Sequence, residues 1–171
     1  MQPSGIVSAP LALHGEVHEG DTVRTGPDAR LRIALRDDSI LSLGADGELT
    51  LDHLALSSQS GARGTLLTLA LGFLRTVTGH LQRDSVFQIR SPSMIAAVRG
   101  TDWIESYTVG KTEIFVAKGR VLATAAANPV SNWVLLNPGE GVHFIAGAPH
   151  SPVVRWSQEK INLYVAATRV P

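Results

Sequence analysis

Apolar and polar side chains alternate along much of this chain, and short turn sequences separate the alternating stretches. Leu31, Ile33 and Leu35 show the pattern, which returns at Phe87 and Ile89. Successive side chains of a strand point to opposite faces, so an alternation of period two predicts strands with one buried face. Gly and Asp turn signals recur about every ten residues, a spacing that leaves room for strands and little for helices. The chain is therefore predicted to be all-β.

Further apolar pairs continue the alternation, and each pair is expected to face the core. They are Leu41/Leu43, Leu49/Leu51, Ile114/Val116, Trp133/Leu135 and Val142/Phe144. Residues 65–73 and 94–98 are more continuously apolar and are expected to be strands covered on both faces at the centre of the core. The predicted architecture is a roll, or an irregular β-solenoid or sandwich, of short antiparallel hairpins.

The end of the chain has a different pattern, which favours a helix. Apolar and small side chains recur there at helical spacing: Ile161, Tyr164, Val165 and Thr168. Ser157 precedes them and can serve as the N-cap, so a terminal helix is predicted over residues 157–169. The alternative is a last edge strand. We expect an N-terminal arm over residues 1–14, one all-β domain over 15–150 and a helical tail over 151–171.

Composition excludes several classes of function. The 171 residues include 15 basic and 15 acidic side chains, so the formal charge is zero and no basic surface for nucleic acid or anionic lipid is expected. The absence of cysteine excludes disulfides and thiolate metal sites. No apolar run reaches the length of a membrane span, about 20 residues. The N-terminal residues lack a signal-peptide pattern, so an exported form would have lost its leader.

One short segment offers weak candidates for a metal site. His14, Glu16 and His18 would share one face if the segment were a strand. Neighbouring members would then be about 6.6–6.8 Å apart, which is wide for a single ion. A solvated strand surface explains the pattern better, and a cupin-like metal enzyme would also need His143 nearby. We predict no metal, no cofactor and no enzymatic activity.

The tetrapeptide Arg99-Gly-Thr-Asp102 follows an apolar run and is the most distinctive local sequence. A tight turn at Gly100 would let Arg99 and Asp102 form a charge-assisted hydrogen bond that fixes the turn. The alternative is that Arg99 binds the carboxylate of a ligand with its planar guanidinium. The candidate ligand or partner contacts are Arg99, Asp102, Trp103 and Trp133.

Several blocks of the chain together resemble the FecR-type sensor domain of exported bacterial proteins and of the periplasmic parts of anti-sigma regulators. The blocks are residues 20–43, 87–102, 110–121 and 136–142. Asp38 stands where that family usually has Gly, and Ser91 stands where it usually has Thr. The resemblance implies an exported, non-catalytic β domain that binds a protein or a ligand.

These observations lead to one expected function and one alternative. We expect a periplasmic or secreted interaction or sensory module, without its leader peptide, that binds a protein partner in envelope signalling or assembly. Exposed strand edges are the natural docking sites for such a partner. The alternative is a domain that binds a small anionic ligand or a glycan.

Overall fold

A computed structural model describes residues 9–54, 64–79, 86–98 and 100–170 of the chain. These residues form thirteen strands and one C-terminal helix, which confirms the predicted fold class. The strands belong to two halves of one sheet, which we call half-sheet A and half-sheet B. A single long strand, β5 (Gly64–Val77), runs through both halves.

Each half-sheet combines strands that are consecutive in sequence with strands that are not. Half-sheet A consists of β1 (Thr22–Arg24), β4 (Glu48–Leu54), the first part of β5, β6 (Val86–Arg90), β7 (Met94–Val98), β10 (Val121–Ala125) and β11 (Trp133–Leu136), in order of pairing. Half-sheet B consists of β2 (Leu31–Ala34), β3 (Ile40–Leu43), the second part of β5, β8 (Asp102–Thr108), β9 (Lys111–Lys118), β12 (Glu140–Ile145) and β13 (Val154–Arg155). The described pairs are antiparallel, as predicted, except that β5 and β6 are parallel.

The change from one half-sheet to the other occurs at Gly72, in the middle of β5. Its φ of +93° lies in the left-handed region, where a side chain is strained. A Cβ at this position would also lie 2.7 Å from the Cα of Gly47. Only glycine therefore satisfies both the backbone conformation and the close approach of the neighbouring chain.

The buried faces of both half-sheets contribute to one hydrophobic core. Leu41, Leu74 and Ile114 come from half-sheet B, and Leu67 and Ile89 come from half-sheet A. The predicted alternation is confirmed for most pairs, since one side chain in two is buried along these strands. In the opening stretch Ile33 is buried, and its neighbours Leu31 and Leu35 pack against the core.

The structure corrects two expectations about burial. Trp133 and Leu135 of β11 face outward and are exposed, whereas Val134 and Leu136 of the same strand face the core. In β5 and β7 only one face is fully buried. Strands β8 and β9 are instead buried on both faces, because the C-terminal helix packs over the outer face of half-sheet B.

The predicted terminal helix is confirmed as α1 (Gln158–Ala167). The hydroxyl of its N-cap, Ser157, accepts a hydrogen bond from the backbone N–H of Lys160. Tyr164 of the helix packs with Trp156 against Ile104 and Phe115, and these four form a second buried cluster. Among the described residues no helix is long and apolar enough to cross a lipid bilayer.

Candidate functional site

Asp102, a predicted site residue, is bound by an arginine from a neighbouring strand. The Nε and Nη2 atoms of Arg75 donate hydrogen bonds of 2.9 and 2.7 Å to the two carboxylate oxygens of Asp102. Arg75 lies on β5 and Asp102 begins β8, so this bidentate pair links two strands of half-sheet B. The carboxylate raises the pKa of Arg75, mainly through these hydrogen bonds. The expected partner of Asp102, Arg99, lies outside the described residues.

Trp103, another predicted contact residue, is fully buried in the core. Its ring packs edge-on against Phe87, with the ring centroids 6.0 Å apart. The structure therefore corrects its assignment: Trp103 stabilises the core and has no exposed surface to offer a ligand or partner. Its position follows from the alternation along β8, in which Trp103 and Glu105 share the inward face.

The three weak candidates for metal ligands, His14, Glu16 and His18, lie in a loop and not on a strand. His14 lies in a turn with a φ of +62°, and residues 15–18 have no strand partner. The Nε2 atom of His18 is 3.7 Å from a Glu16 carboxylate oxygen, and both side chains are mostly exposed. Across the described parts of the chain, no three acidic, histidine or cysteine side chains are grouped to hold a metal ion.

Trp133 remains available as a contact residue, and it lies on a strand at the edge of half-sheet A. In the described chain β11 pairs with β10 on one side only. Trp133 and Leu135 are 54% and 45% exposed on its outer face. Leu122, which is directly opposite Leu135 on β10, is 38% exposed. Three large apolar side chains thus form an accessible patch beside an open strand edge.

The backbone of β11 presents hydrogen-bonding groups on the same open side. The N–H of Ala125 donates to the carbonyl of Asn132, which makes these two a hydrogen-bonded pair. Hydrogen-bonded and non-hydrogen-bonded pairs alternate in an antiparallel ladder. Val134 and Leu136 therefore bond to β10, whereas the backbone groups of Trp133 and Leu135 point away from it. A partner strand at this edge would pair with the same two residues whose side chains are exposed.

Half-sheet B is covered by α1, which a charged cluster anchors. Glu113 of β9 accepts hydrogen bonds of 2.8 Å from both Lys160 and Tyr164 of the helix. The ammonium of Lys111 lies 3.2 Å from the same carboxylate. Burial by itself raises the pKa of Glu113, but the hydrogen bonds from Lys160, Tyr164 and Lys111 outweigh it and lower the pKa to about 2. The helix therefore covers part of the outer face of half-sheet B, whereas no described element covers the outer face of half-sheet A at β10 and β11.

One ionisable side chain lies inside the core. Glu105 has no exposed surface, and among the described residues its Oε1 atom has no hydrogen-bond partner. Burial raises the pKa of this carboxyl to about 7, against the smaller opposing effect of the hydrogen bond from Trp103. Sequence reasoning missed Glu105, although its two-residue spacing from Trp103 in a strand would have placed both side chains on one face.

The comparisons with known proteins agree with this architecture. Residues 21–122 match the sequence model of a family described as FecR protein. Two crystal structures of a Parabacteroides distasonis protein, provisionally described as an anti-sigma factor, share the fold with TM-scores of 0.66 and 0.67. Sequence identity is 12% and 13%, and each comparison covers 85% of this chain and 64% of the other, so this chain spans less than two thirds of that protein's length. No curated protein matches the chain in sequence.

Proposed function

The chain belongs to the FecR family, whose sequence model covers residues 21–122, and on this premise we propose that it is an exported, non-catalytic regulatory module that binds a protein partner. The bacterial periplasm, or the space outside the cell, is the proposed location. The description of the two structures with the same fold as an anti-sigma factor supports a regulatory role. The proposed mechanism consists of binding alone. The module binds its partner and thereby changes how much of that partner is free to act.

The open edge of β11 is the observation that carries the proposal. Exposed strand edges are liabilities that folded proteins usually block with charges, proline or a covering element. The four residues of β11, Trp133–Leu136, contain neither charge nor proline. An edge of this kind that stays open in a folded protein is well suited to receive the strand of a partner.

If a partner strand pairs with β11, the backbone and the side chains of β11 have separate roles. The N–H and C=O groups of Trp133 and Leu135 would provide affinity without regard to the partner's sequence. The side chains of Trp133, Leu135 and Leu122 would select apolar residues at alternate positions of the incoming strand. Tryptophan is among the residues that contribute most to binding at protein interfaces, so Trp133 is expected to dominate.

In the experiment, the purified protein and three variants are immobilised separately. The proteins that each of them captures from an envelope extract are then compared. Leu135→Pro removes the backbone N–H that points to the open edge, and proline is tolerated on edge strands. Trp133→Ala removes the largest exposed side chain. Leu163→Ala, a change at an exposed position of α1, is the matched control.

The proposal predicts that the wild type and Leu163→Ala retain the same envelope protein. Once that protein is purified, Trp133→Ala is expected to weaken its binding at least about tenfold, and Leu135→Pro to abolish it. Melting temperatures close to that of the wild type would show that the variants remain folded. Equal binding by all four proteins, or capture of no protein that can be reconstituted from purified components, would contradict the proposal.

A further inference from the structure

A groove on the outer face of half-sheet B, beside the C-terminal end of α1, concentrates positive charge. Its volume is about 450 Å³. The groove is lined by three arginines, two hydroxyl residues and three aliphatic residues: Arg32, Arg75, Arg169, Ser42, Thr168, Ile40, Val77 and Val165. The whole chain carries as many acidic as basic side chains, so three guanidinium groups in one groove are a local excess.

The charges that meet in this groove do not balance. Among the described residues, Arg75 is the one of these three arginines that forms an ion pair, and its partner is Asp102. In the described parts of the chain Arg32 has no acidic partner, and it donates to the backbone carbonyl of Val170 at 3.5 Å. Arg169 lines the groove and is exposed. An anion that enters the groove therefore meets more positive charge than the described acidic residues neutralise.

The ion pair with Asp102 leaves Arg75 partly free to bind a second acceptor. Its Nε and Nη2 atoms are used by the carboxylate, but both N–H groups of Nη1 and one of Nη2 are not required for that bidentate contact. Asp102 also fixes the plane of the guanidinium, so little side-chain entropy remains to be lost when a ligand binds. A carboxylate matches this rigid fork in shape and charge.

Apolar side chains form the wall of the groove beside the arginines. Ile40 and Val77 are 39% and 36% exposed, and Val165 of the helix also lines the groove. A bare inorganic anion would leave these side chains in water, whereas a ligand with an aliphatic part would cover them. Convergent positive charge next to an apolar wall is suited to a ligand with one anionic end and one apolar end.

We propose that this groove is a binding site for an organic carboxylate with a short aliphatic chain. The carboxylate binds the guanidinium groups of Arg32, Arg75 and Arg169, and the aliphatic chain packs on Ile40 and Val77. The same chemistry is offered by a free carboxylic acid and by the C-terminal leucine of a polypeptide. The site is separate from the β11 edge, since it lies on the other half-sheet, and it does not depend on the proposed partner.

Isothermal titration of the purified protein tests the site with four probes. They are 4-methylpentanoate, N-acetyl-alanyl-leucine, the C-terminal amide of that dipeptide, and inorganic phosphate. We expect one or both carboxylate probes to bind, and the amide and phosphate to bind at least about tenfold more weakly than the tighter of the two. Tighter binding of the dipeptide identifies a polypeptide terminus as the source, and tighter binding of 4-methylpentanoate identifies a free acid.

Substitutions locate the binding in the groove. Arg32→Gln and Arg169→Gln each remove a positive charge and are expected to weaken carboxylate binding several-fold without unfolding the protein, because both side chains are exposed. Arg120→Gln, at an exposed position in the turn between β9 and β10, is the matched control and is expected to bind as the wild type does. No measurable binding of either carboxylate at millimolar concentration would overturn the proposal. Equal losses in all three variants, or phosphate binding as tightly as the carboxylates, would also overturn it.

Discussion

Trp103 donates the N–H of its indole to Glu105 across 3.3 Å inside the core, and both side chains are fully buried. This single hydrogen bond does not replace the water that a carboxylate loses on burial. The protonated form of Glu105 is therefore favoured in the folded protein, where its pKa rises to about 7 from 4.5. The core holds a group that changes its charge near neutral pH.

The first prediction concerns stability at neutral pH. The unfolded chain releases the Glu105 proton near pH 4.5 and the folded protein near pH 7, so stability falls as pH rises between these values, by about 3 kcal/mol. Glu105→Gln keeps the shape of the side chain without a charge. It is expected to remove most of this pH dependence and to be more stable than the wild type at pH 8. Urea unfolding of both proteins across this range measures the difference, and parallel curves would contradict the prediction.

The second prediction concerns the anchoring of α1 under acidic conditions. The pKa of Glu113 is lowered to about 2 in the folded protein, so its stabilising effect is complete above pH 4.5 and is lost as pH falls toward 2. Glu113→Gln should destabilise the protein by about 2 kcal/mol at pH 6, and the difference from the wild type should shrink below pH 4. Glu159→Gln, on the exposed face of α1, is the control and should change stability by less than about 0.5 kcal/mol. A constant difference for Glu113→Gln down to pH 3 would rule out this account.

The third prediction concerns the bend in β5. Gly72→Ala puts a side chain at a φ of +93° and into contact with the backbone of Gly47, so a loss of at least about 2 kcal/mol is expected. Gly64→Ala changes the same strand where a Cβ would have no atom within 4 Å, and should be nearly neutral. Chemical denaturation measures both. Similar stabilities of the two variants would show that the bend does not require glycine.

The alternation of side chains predicted burial wherever polar residues separate the apolar ones. In Phe87-Gln88-Ile89 the contrast determines which face is buried, and the structure agrees. In β11 all four residues from Trp133 to Leu136 are apolar, so the sequence contains no contrast from which to choose a face. The choice is made by the register with β10, which puts Val134 and Leu136 opposite the buried Ala123 and Val121 and which local sequence does not encode.

The contacts of the site depended on strand register and were harder to predict. Asp102 and Arg75 are 27 residues apart and meet because β5 and β8 are neighbours in half-sheet B. The sequence suggested a local partner for Asp102, since a turn at Gly100 would bring Arg99 close. The groove lined by three arginines likewise combines residues from three strands, a helix and the residues just after that helix, so no segment of the sequence reveals it. By contrast, local sequence explains the turn at Asp38, where the family usually has Gly: its φ is +63°, a conformation that Asp accepts more easily than most residues.

Amide hydrogen exchange along β11, followed by NMR, tests the open strand edge most directly. The backbone N–H groups of Trp133 and Leu135 point away from β10 and are expected to exchange rapidly in the free protein, whereas those of Val134 and Leu136 are bonded to β10 and should exchange slowly. Addition of the captured envelope partner should slow exchange at Trp133 and Leu135. Equal protection of all four amides in the free protein, or rapid exchange at Trp133 and Leu135 when the partner is bound, would contradict the proposed docking edge.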